Sequence, residues 1–206
     1  MNDRWGRETR SKHGGYYTTE YDLVHDGNAK DKKIAHPWEE CRGIGNSFGY
    51  NRNENLQDYS TSEQLVHLLI EKVAMGGNLL LNIGPTADGR IPVIMQQRLM
   101  DMGNWLKTNG EAIYETATHV VAGQSGINAF FTTKGKDLYV IFTKYPEKSV
   151  TIQNIGKKPA NVTLLGSNTK VKYSHSGNNL TITPPQLSPA DNPCEYAWVF
   201  KLTGCL

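Results

Sequence analysis

The stretch Trp38-Glu-Glu-Cys-Arg-Gly-Ile-Gly-Asn-Ser-Phe-Gly-Tyr-Asn51 and the apolar run Asn78-Leu-Leu-Leu-Asn-Ile-Gly-Pro85 decide how this chain is read. Leu79 to Ile83 is too short and too continuously apolar for an amphipathic helix. Its glycine-bounded ends favour a strand buried on both faces, as parallel sheets require. The run from Trp38 reads as a second buried strand whose end carries polar and aromatic side chains. Between the two, Ser60-Thr-Ser-Glu63 has capping-box spacing, and Leu65, Leu68, Leu69 and Val73 follow on one helical face until Gly76-Gly77 stops the helix. The order is therefore strand, helix, strand. Asn2-Asp-Arg-Trp-Gly6 reads as another strand end, so a β/α alternation is under way from the first residues, and its earlier half is expected upstream.

Outward from this unit, residues Met1 to about Asn55 are rich in Gly, Asn, aromatic and charged residues with little periodicity. That texture suits long loops between strands, where such folds place functional groups. Pro92 fits a first helical turn, and Met95, Leu99, Met102 and Leu106 then recur up to Asn109-Gly110, predicting a second helix that covers the sheet. From about Thr118 the texture changes. Ile127 to Thr133, Asp137 to Thr143, Ser149 to Gln153, Asn161 to Leu165, Lys170 to His175, Asn179 to Thr183 and Glu195 to Leu202 are short, β-prone and separated by turn residues. Such spacing predicts an antiparallel β-sandwich. Lys134-Gly135 and Gly177-Asn178 are its expected hairpin turns, Pro184-Pro185 to Pro193 its irregular loop, and the domain boundary falls near Thr116.

The chain has 206 residues, 38% of them hydrophobic and 20% charged, which suits a soluble globular protein able to bury a core. Its 22 basic and 20 acidic residues are intermixed and leave a net charge of +2, which sets aside nucleic acid and anionic membranes as partners. No stretch approaches the roughly 18 consecutive apolar residues of a membrane span, and Met-Asn-Asp-Arg-Trp is not a secretory leader. Cys41, Cys194 and Cys205 are too few and too scattered for a metal cluster; Cys194 and Cys205 could pair or remain free thiols. Asp88-Gly89 reads as a turn rather than a metal loop. Asn161-Val-Thr163 and Asn179-Leu-Thr181 fit the glycosylation pattern, which matters only in a eukaryotic secretory setting.

In order along the chain, Asn2-Asp-Arg-Trp-Gly6, Thr18-Thr-Glu-Tyr21, Trp38-Glu39, Gly43-Ile-Gly-Asn-Ser-Phe-Gly-Tyr-Asn51, Gly76-Gly-Asn-Leu-Leu-Leu-Asn-Ile-Gly-Pro85 and Asn109-Gly-Glu-Ala-Ile-Tyr114 resemble the C-terminal half of the α-L-fucosidases of glycoside hydrolase family 29. The resemblance covers essentially the whole chain. It implies an α/β plus all-β architecture: residues 1–116 as the C-terminal part of a (β/α)8-like catalytic barrel, then residues 117–206 as an antiparallel β-sandwich. It also implies release of α-linked L-fucose from a fucosylated oligosaccharide or glycoconjugate with retention of configuration, and no metal or organic cofactor. Family habit points to an extracellular, periplasmic or lysosomal setting.

By the same resemblance Glu20 is the general acid/base, which protonates the departing oxygen and later activates water; such a donor needs burial or a nearby carboxylate. Glu39 and Glu40 are the alternatives, because the family's acid/base position varies among its branches. Arg4 matches an arginine that contacts the sugar near the nucleophile, where a planar guanidinium can hold a hydroxyl and a carboxylate together. Phe48 matches an aromatic ring that packs against the apolar side of fucose, including its C5 methyl group. Trp38, with Trp5 and Tyr50, is expected to line the same mouth.

The family's aspartate nucleophile belongs to an earlier strand, upstream of Asn-Asp-Arg-Trp-Gly, and so do the histidines that ring the fucose. His13, His25, His36, His67, His119 and His175 match none of those, and residues 1–116 are too few for a barrel that typically needs about 250. The chain is therefore expected to be a C-terminal portion associating with a missing N-terminal half. The other readings are a small hydrolase whose site is shared within a homo-oligomer through open sheet edges, and a non-catalytic glycan-binding or structural module. For the latter, Tyr139, Tyr145, Tyr173 and Trp198 are the aromatic residues to watch.

Overall fold

The structure is a computed structural model that describes residues 2–6, 12–21, 36–119 and 127–206. The chain divides into two compact units, Met1–Met102 and Gly103–Leu206. In the first, β1 (Tyr17–Glu20), β2 (Trp38–Gly43) and β3 (Gly77–Asn82) form one sheet in the order β1-β2-β3, with α1 (Ser62–Ala74) between β2 and β3. Both pairings are parallel: Tyr17 lies beside Trp38 and Glu20 beside Cys41, while Trp38 lies beside Gly77 and Gly43 beside Asn82. The strand-helix-strand order needs such a crossover, since parallel neighbours cannot be joined by a tight hairpin.

Helix α1 starts one residue later than its capping box predicts. Thr61, not Ser60, is the N-cap: its hydroxyl accepts from Gln64 N at 3.1 Å, and Gln64 Oε1 accepts from Thr61 N at 2.8 Å. Ser60 is already committed through its backbone, with its N–H donating to Ile44 O at 2.9 Å and its carbonyl accepting from Arg98 Nε at 3.0 Å. The buried stripe accordingly runs through Leu65, Val66 and Ile70. The helix ends at Ala74, and Gly76 just beyond it has a φ of 87°, in the left-handed region that glycine adopts without a Cβ penalty.

The expectation that Leu79 to Ile83 is buried on both faces is corrected. Strand β3 begins at Gly77, and its side chains alternate, with Leu79 and Leu81 half-buried and Leu80 47% exposed. Helix α2 (Val93–Asn109) follows Pro92, whose carbonyl accepts from Met95 N at 3.0 Å. Met95, Met102 and Trp105 are its buried large residues, whereas Leu99 is exposed.

The second unit is all-β beyond the end of α2. Strands β4 (Ala117–Thr118), β5 (Ala129–Lys134), β6 (Asp137–Phe142), β7 (Val150–Ile152), β8 (Asn161–Leu164), β9 (Lys172–Ser176), β10 (Asn179–Thr183) and β11 (Trp198–Thr203) form two antiparallel sheets, ordered β4-β5-β6-β11-β8 and β7-β10-β9. The two sheets share one apolar core, with Phe131, Val140, Phe142 and Phe200 from the first and Ile152, Leu180 and Ile182 from the second. That is the layering of a sandwich. Gly177-Asn178 makes the β9–β10 turn, with Gly177 at φ 57°. The β5–β6 turn falls on Gly135-Lys136 rather than Lys134-Gly135, because Lys134 pairs with Asp137 and the left-handed residue is Gly135. Within this unit Trp105 Nε1 donates to Ala197 O at 2.9 Å and Thr132 Oγ1 to Ala112 O at 2.7 Å, so the end of α2 and the turn after it are fixed to the sheets.

Tyr139, Tyr145, Tyr173 and Trp198 each have partners within this unit. Tyr139 is 1% exposed beneath Lys201, Tyr145 meets Trp198 edge to face and donates to Pro185 O, and Trp198 Nε1 donates to Asn192. Tyr173 reaches Pro159 O at 3.4 Å. Cys41, Cys194 and Cys205 are free thiols, so the open Cys194–Cys205 pairing is not formed.

Candidate active site

In a parallel sheet every strand points the same way, so functional side chains gather where the carboxyl ends meet solvent. Glu20 is the last residue of β1, and Phe48 lies on the loop that leaves β2 after Gly43. Arg4 arrives from the Asn2-Asp-Arg-Trp-Gly6 segment, which is bridged to β1 through Asn2 and Tyr16. The anchor there is Asp3, 0% exposed, whose Oδ1 accepts from Thr18 N at 3.1 Å and from Thr18 Oγ1 at 2.6 Å. With Asp3 fixed, Arg4 Nη1 donates to Glu20 Oε2 at 3.1 Å and Arg4 Nη2 to Thr19 O at 3.2 Å. Both side chains keep about a quarter of their surface in solvent, 26% for Arg4 and 29% for Glu20. They are joined to each other and accessible from outside.

Side chains alternate across a strand, so register sorts the three glutamates. Thr18 pairs with Glu39 and Glu20 with Cys41, which puts Glu20 and Glu39 on one face; Thr19 pairs with Glu40, which puts Glu40 on the other. Glu40 is 1% exposed, accepts from Thr19 Oγ1, and holds Arg42 through contacts of 3.2 and 3.3 Å to Nη2 and Nε. Cys41 stands beside the Arg4–Glu20 pair. Burial pushes its thiol above the ordinary value, and the positive charge of Arg4 pulls the other way.

Phe48 is half-buried and meets the ring of Tyr21 edge to face, centroids 5.2 Å apart. Tyr21 directly follows Glu20, so the aromatic loop and the carboxylate are joined through one residue. Asn82, the last residue of β3, donates from Nδ2 to Phe48 O at 2.6 Å. Trp38 is not brought to this end. It begins β2, three positions and about 10 Å of strand before Cys41. Its indole is 4% exposed and lies against Gly77. A tryptophan at a strand's amino end cannot share a mouth at the carboxyl end. Trp5 and Tyr50 are exposed, 65% and 43%.

The residues that spacing alone did not single out are Asp3, Tyr21, Arg42 and Asn82. Each lies inside a quoted motif, and Asn82 carries a signal of its own, a polar residue that ends the apolar run Leu79 to Leu81. Among the described histidines, His36 stacks on Tyr17 at 3.8 Å and His175 reaches Ile155 O at 2.7 Å; His25 lies outside the described residues. Among the described residues no group of three His, Cys, Asp or Glu could hold a metal ion, and no helix is long and apolar enough to cross a membrane.

The chain is similar over nearly its whole length to plasma alpha-L-fucosidase of Rattus norvegicus, 42% identical with 98% of this chain and 45% of the relative covered. Human plasma alpha-L-fucosidase is 40% identical, covering 100% of this chain and 44% of the relative. Among solved structures, the Thermotoga maritima alpha-fucosidase in complex with fucose superposes with a TM-score of 0.76 at 33% identity, covering 97% of this chain and 44% of that one. The chain thus spans a little under half the length of these relatives. The family model described as Alpha-L-fucosidase matches residues 1–111, and that described as Alpha-L-fucosidase C-terminal domain matches residues 125–203. The first of these contains every residue of the Arg4, Glu20 and Phe48 constellation, and with more than half of its length matched in this way the chain belongs to the alpha-L-fucosidase family.

Proposed function

We propose that this chain is the acid/base-bearing portion of a retaining α-L-fucosidase that releases α-linked L-fucose from fucosylated oligosaccharides or glycoconjugates. The observation that carries this reading is the 3.1 Å Arg4–Glu20 pair at the carboxyl end of a parallel strand, in a chain of this family. On this reading β1, β2 and β3 are strands of a (β/α)8-like barrel formed by residues 1–116 together with a segment outside this chain, and residues 117–206 are the sandwich. The exposed face of β3 with Leu80 is then part of the barrel interior. The chain's coverage of 44% to 45% of its relatives supports that division.

Glu20 donates its proton to the glycosidic oxygen as the bond to the anomeric carbon breaks. A second carboxylate attacks that carbon from the opposite side, and Glu20, now ionised, takes a proton from the water that releases the sugar. Retention places the two carboxyl groups about 5–5.5 Å apart, and the second is assigned to the segment outside this chain. Arg4 holds Glu20 in place and keeps donor capacity for a sugar hydroxyl. Phe48 packs on the apolar side of the ring, where contact with the C5 methyl is worth about 1–3 kcal/mol of discrimination. Glu39 shares the face of Glu20 but lies on the neighbouring strand two residues back in register. Glu40 is sealed on the other face.

The test is Glu20→Gln in the full-length enzyme, with aryl α-L-fucosides of graded leaving group. Turnover of a poor leaving group should fall by about 10²–10⁴, and that of a dinitrophenol, which departs without a proton, far less. Equal losses across the series, or the same leaving-group pattern on Glu39→Gln instead, would overturn the assignment.

A further inference from the structure

We propose that Tyr21 and Asn82 are positioning residues that fix Phe48 relative to Glu20 and thereby set the preference for a 6-deoxy sugar over its 6-hydroxylated counterpart. The inference rests on the assignment of Phe48 to the sugar's methyl side made above. The loop leaving β2 emerges from the middle strand of the described sheet, so the ends of both neighbours can reach it, and both do.

From β1, Tyr21 accepts from Gly43 N through its hydroxyl at 3.2 Å and donates to Gly45 O at 3.3 Å. One phenol thus ties two backbone positions at the start of the loop, while its ring edge meets Phe48 at 5.2 Å and an interplanar angle of 74°. The geometry is enforced from behind: Arg42, held by the buried Glu40, lies over the Tyr21 ring at 5.3 Å. Tyr21 also has φ of 49°, a left-handed backbone that a bulky residue adopts at a cost. That turn redirects the chain straight after Glu20 and aims the phenol at the loop.

From β3, Asn82 works on the same loop at two levels. Its backbone carbonyl accepts from Ile44 N at 3.2 Å, continuing the sheet, and its amide nitrogen donates to the carbonyl of Phe48 itself at 2.6 Å. A carboxylate or an alkyl group at position 82 has no such donor. Gly84 closes the clamp, since its Cα lies so near Gly49 and Tyr50 that a Cβ would stand 2.5 Å from Tyr50 N. Phe48 is therefore held by its ring from one side and by its carbonyl from the other. A methyl group is recognised by a ring only while the ring stays at contact distance.

The test uses the full-length enzyme and the ratio of kcat/KM for nitrophenyl α-L-fucoside to that for nitrophenyl α-L-galactoside, which differ by the C6 hydroxyl. Competition by free L-fucose and L-galactose supplies the same ratio where galactoside turnover is too slow to follow. Tyr21→Phe, which keeps the ring and removes both hydroxyl bonds, and Asn82→Leu should each narrow the ratio about three- to tenfold. The double variant should narrow it by less than the product, because both act on one loop. Partial misfolding lowers both substrates alike and leaves the ratio unmoved. Phe48→Ala sets the scale. If Phe48→Ala narrows the ratio and the other two stay within twofold of wild type, the positioning role is wrong. If Phe48→Ala leaves the ratio intact, or the wild type cleaves neither glycoside, the assignment of the site itself fails.

Discussion

Gly77→Ala measures whether Trp38 is a structural wedge or a sugar-binding residue. A Cβ at position 77 would stand 2.5 Å from Cε2 and Cζ2 of the Trp38 indole and 2.8 Å from its Cδ2. Carbon pairs are comfortable at about 3.5–4.0 Å, so the ring has to retreat by roughly 1 Å. It is 4% exposed and has nowhere to go without displacing neighbours. Overpacking of this kind costs about 1–3 kcal/mol, and removing a glycine from the first position of a strand returns at most about 0.5–1 kcal/mol. The net loss is about 1–2 kcal/mol, or about 2–8 °C in Tm for a chain of this size. Trp38→Phe makes room for the methyl, so Gly77→Ala should cost little in that background, giving a coupling of about 1–2 kcal/mol. Urea and thermal unfolding of the four proteins measure the coupling, with fucoside turnover per folded molecule followed in the full-length enzyme. Additive stabilities would refute the packing argument. A drop in kcat/KM on Trp38→Phe at unchanged stability would return Trp38 to the sugar.

Gly84→Ala should act at the other end of the sheet. Its Cβ would press on Tyr50 N at 2.5 Å and Gly49 C at 2.6 Å, so the loop withdraws, the Asn82–Phe48 bond stretches beyond hydrogen-bonding range, and fucoside over galactoside preference falls with about 1–3 kcal/mol of stability; an unchanged preference counts against the clamp. Lys201→Met should cost the second unit about 1 kcal/mol, since Nζ lies 2.9 Å from Glu111 Oε2 and 3.5 Å from Asp137 Oδ2 but all three groups are partly exposed. The hydrogen bond to Glu111 raises the Lys201 ammonium well above its ordinary value. Its contribution is then fully present below the ordinary lysine value of about 10.4 and is lost only as pH rises through the folded one. The deficit of the variant should be flat between about pH 6 and 9, and urea midpoints that drift across that window would contradict the ion-pair account.

How much of this was legible in the amino-acid order depends on whether the signal is local. The strands of the second unit announce themselves by short β-prone runs between turn residues, and β6 and β10 lie where that pattern puts them. The α1 cap was legible only to within one residue, because Ser60-Thr-Ser-Glu63 and Thr61-Ser-Glu-Gln64 offer the same spacing. The choice falls to Thr61 once tertiary bonds engage the Ser60 backbone. Reading Leu79 to Ile83 as doubly buried assumed a covered sheet, a property of what surrounds the strand and not of the strand itself. Trp38 was expected at the same mouth because it shares a run with Phe48, but it starts β2 whereas Phe48 follows the end of that strand.

The three glutamates show most directly what register adds to spacing. Glu39 and Glu40 are adjacent in sequence, and nothing local separates their chances of reaching a sugar with Glu20. Pairing β1 with β2 separates them, because Thr19 opposite Glu40 turns that carboxylate away from the face of Glu20. Once there, Glu40 has to be satisfied without water, which Thr19 and Arg42 do. Removing one partner of such a buried pair costs about 3–5 kcal/mol, since the other charge is left uncompensated. Loss of activity on replacing Glu40 therefore carries no information about proton transfer. It would follow equally from freeing Arg42, and with it the Tyr21 ring that Arg42 covers and that meets Phe48. Of these three glutamates, Glu20 alone combines an open face, a guanidinium at 3.1 Å and a strand end, so a leaving-group dependence found there reports on chemistry and not on packing.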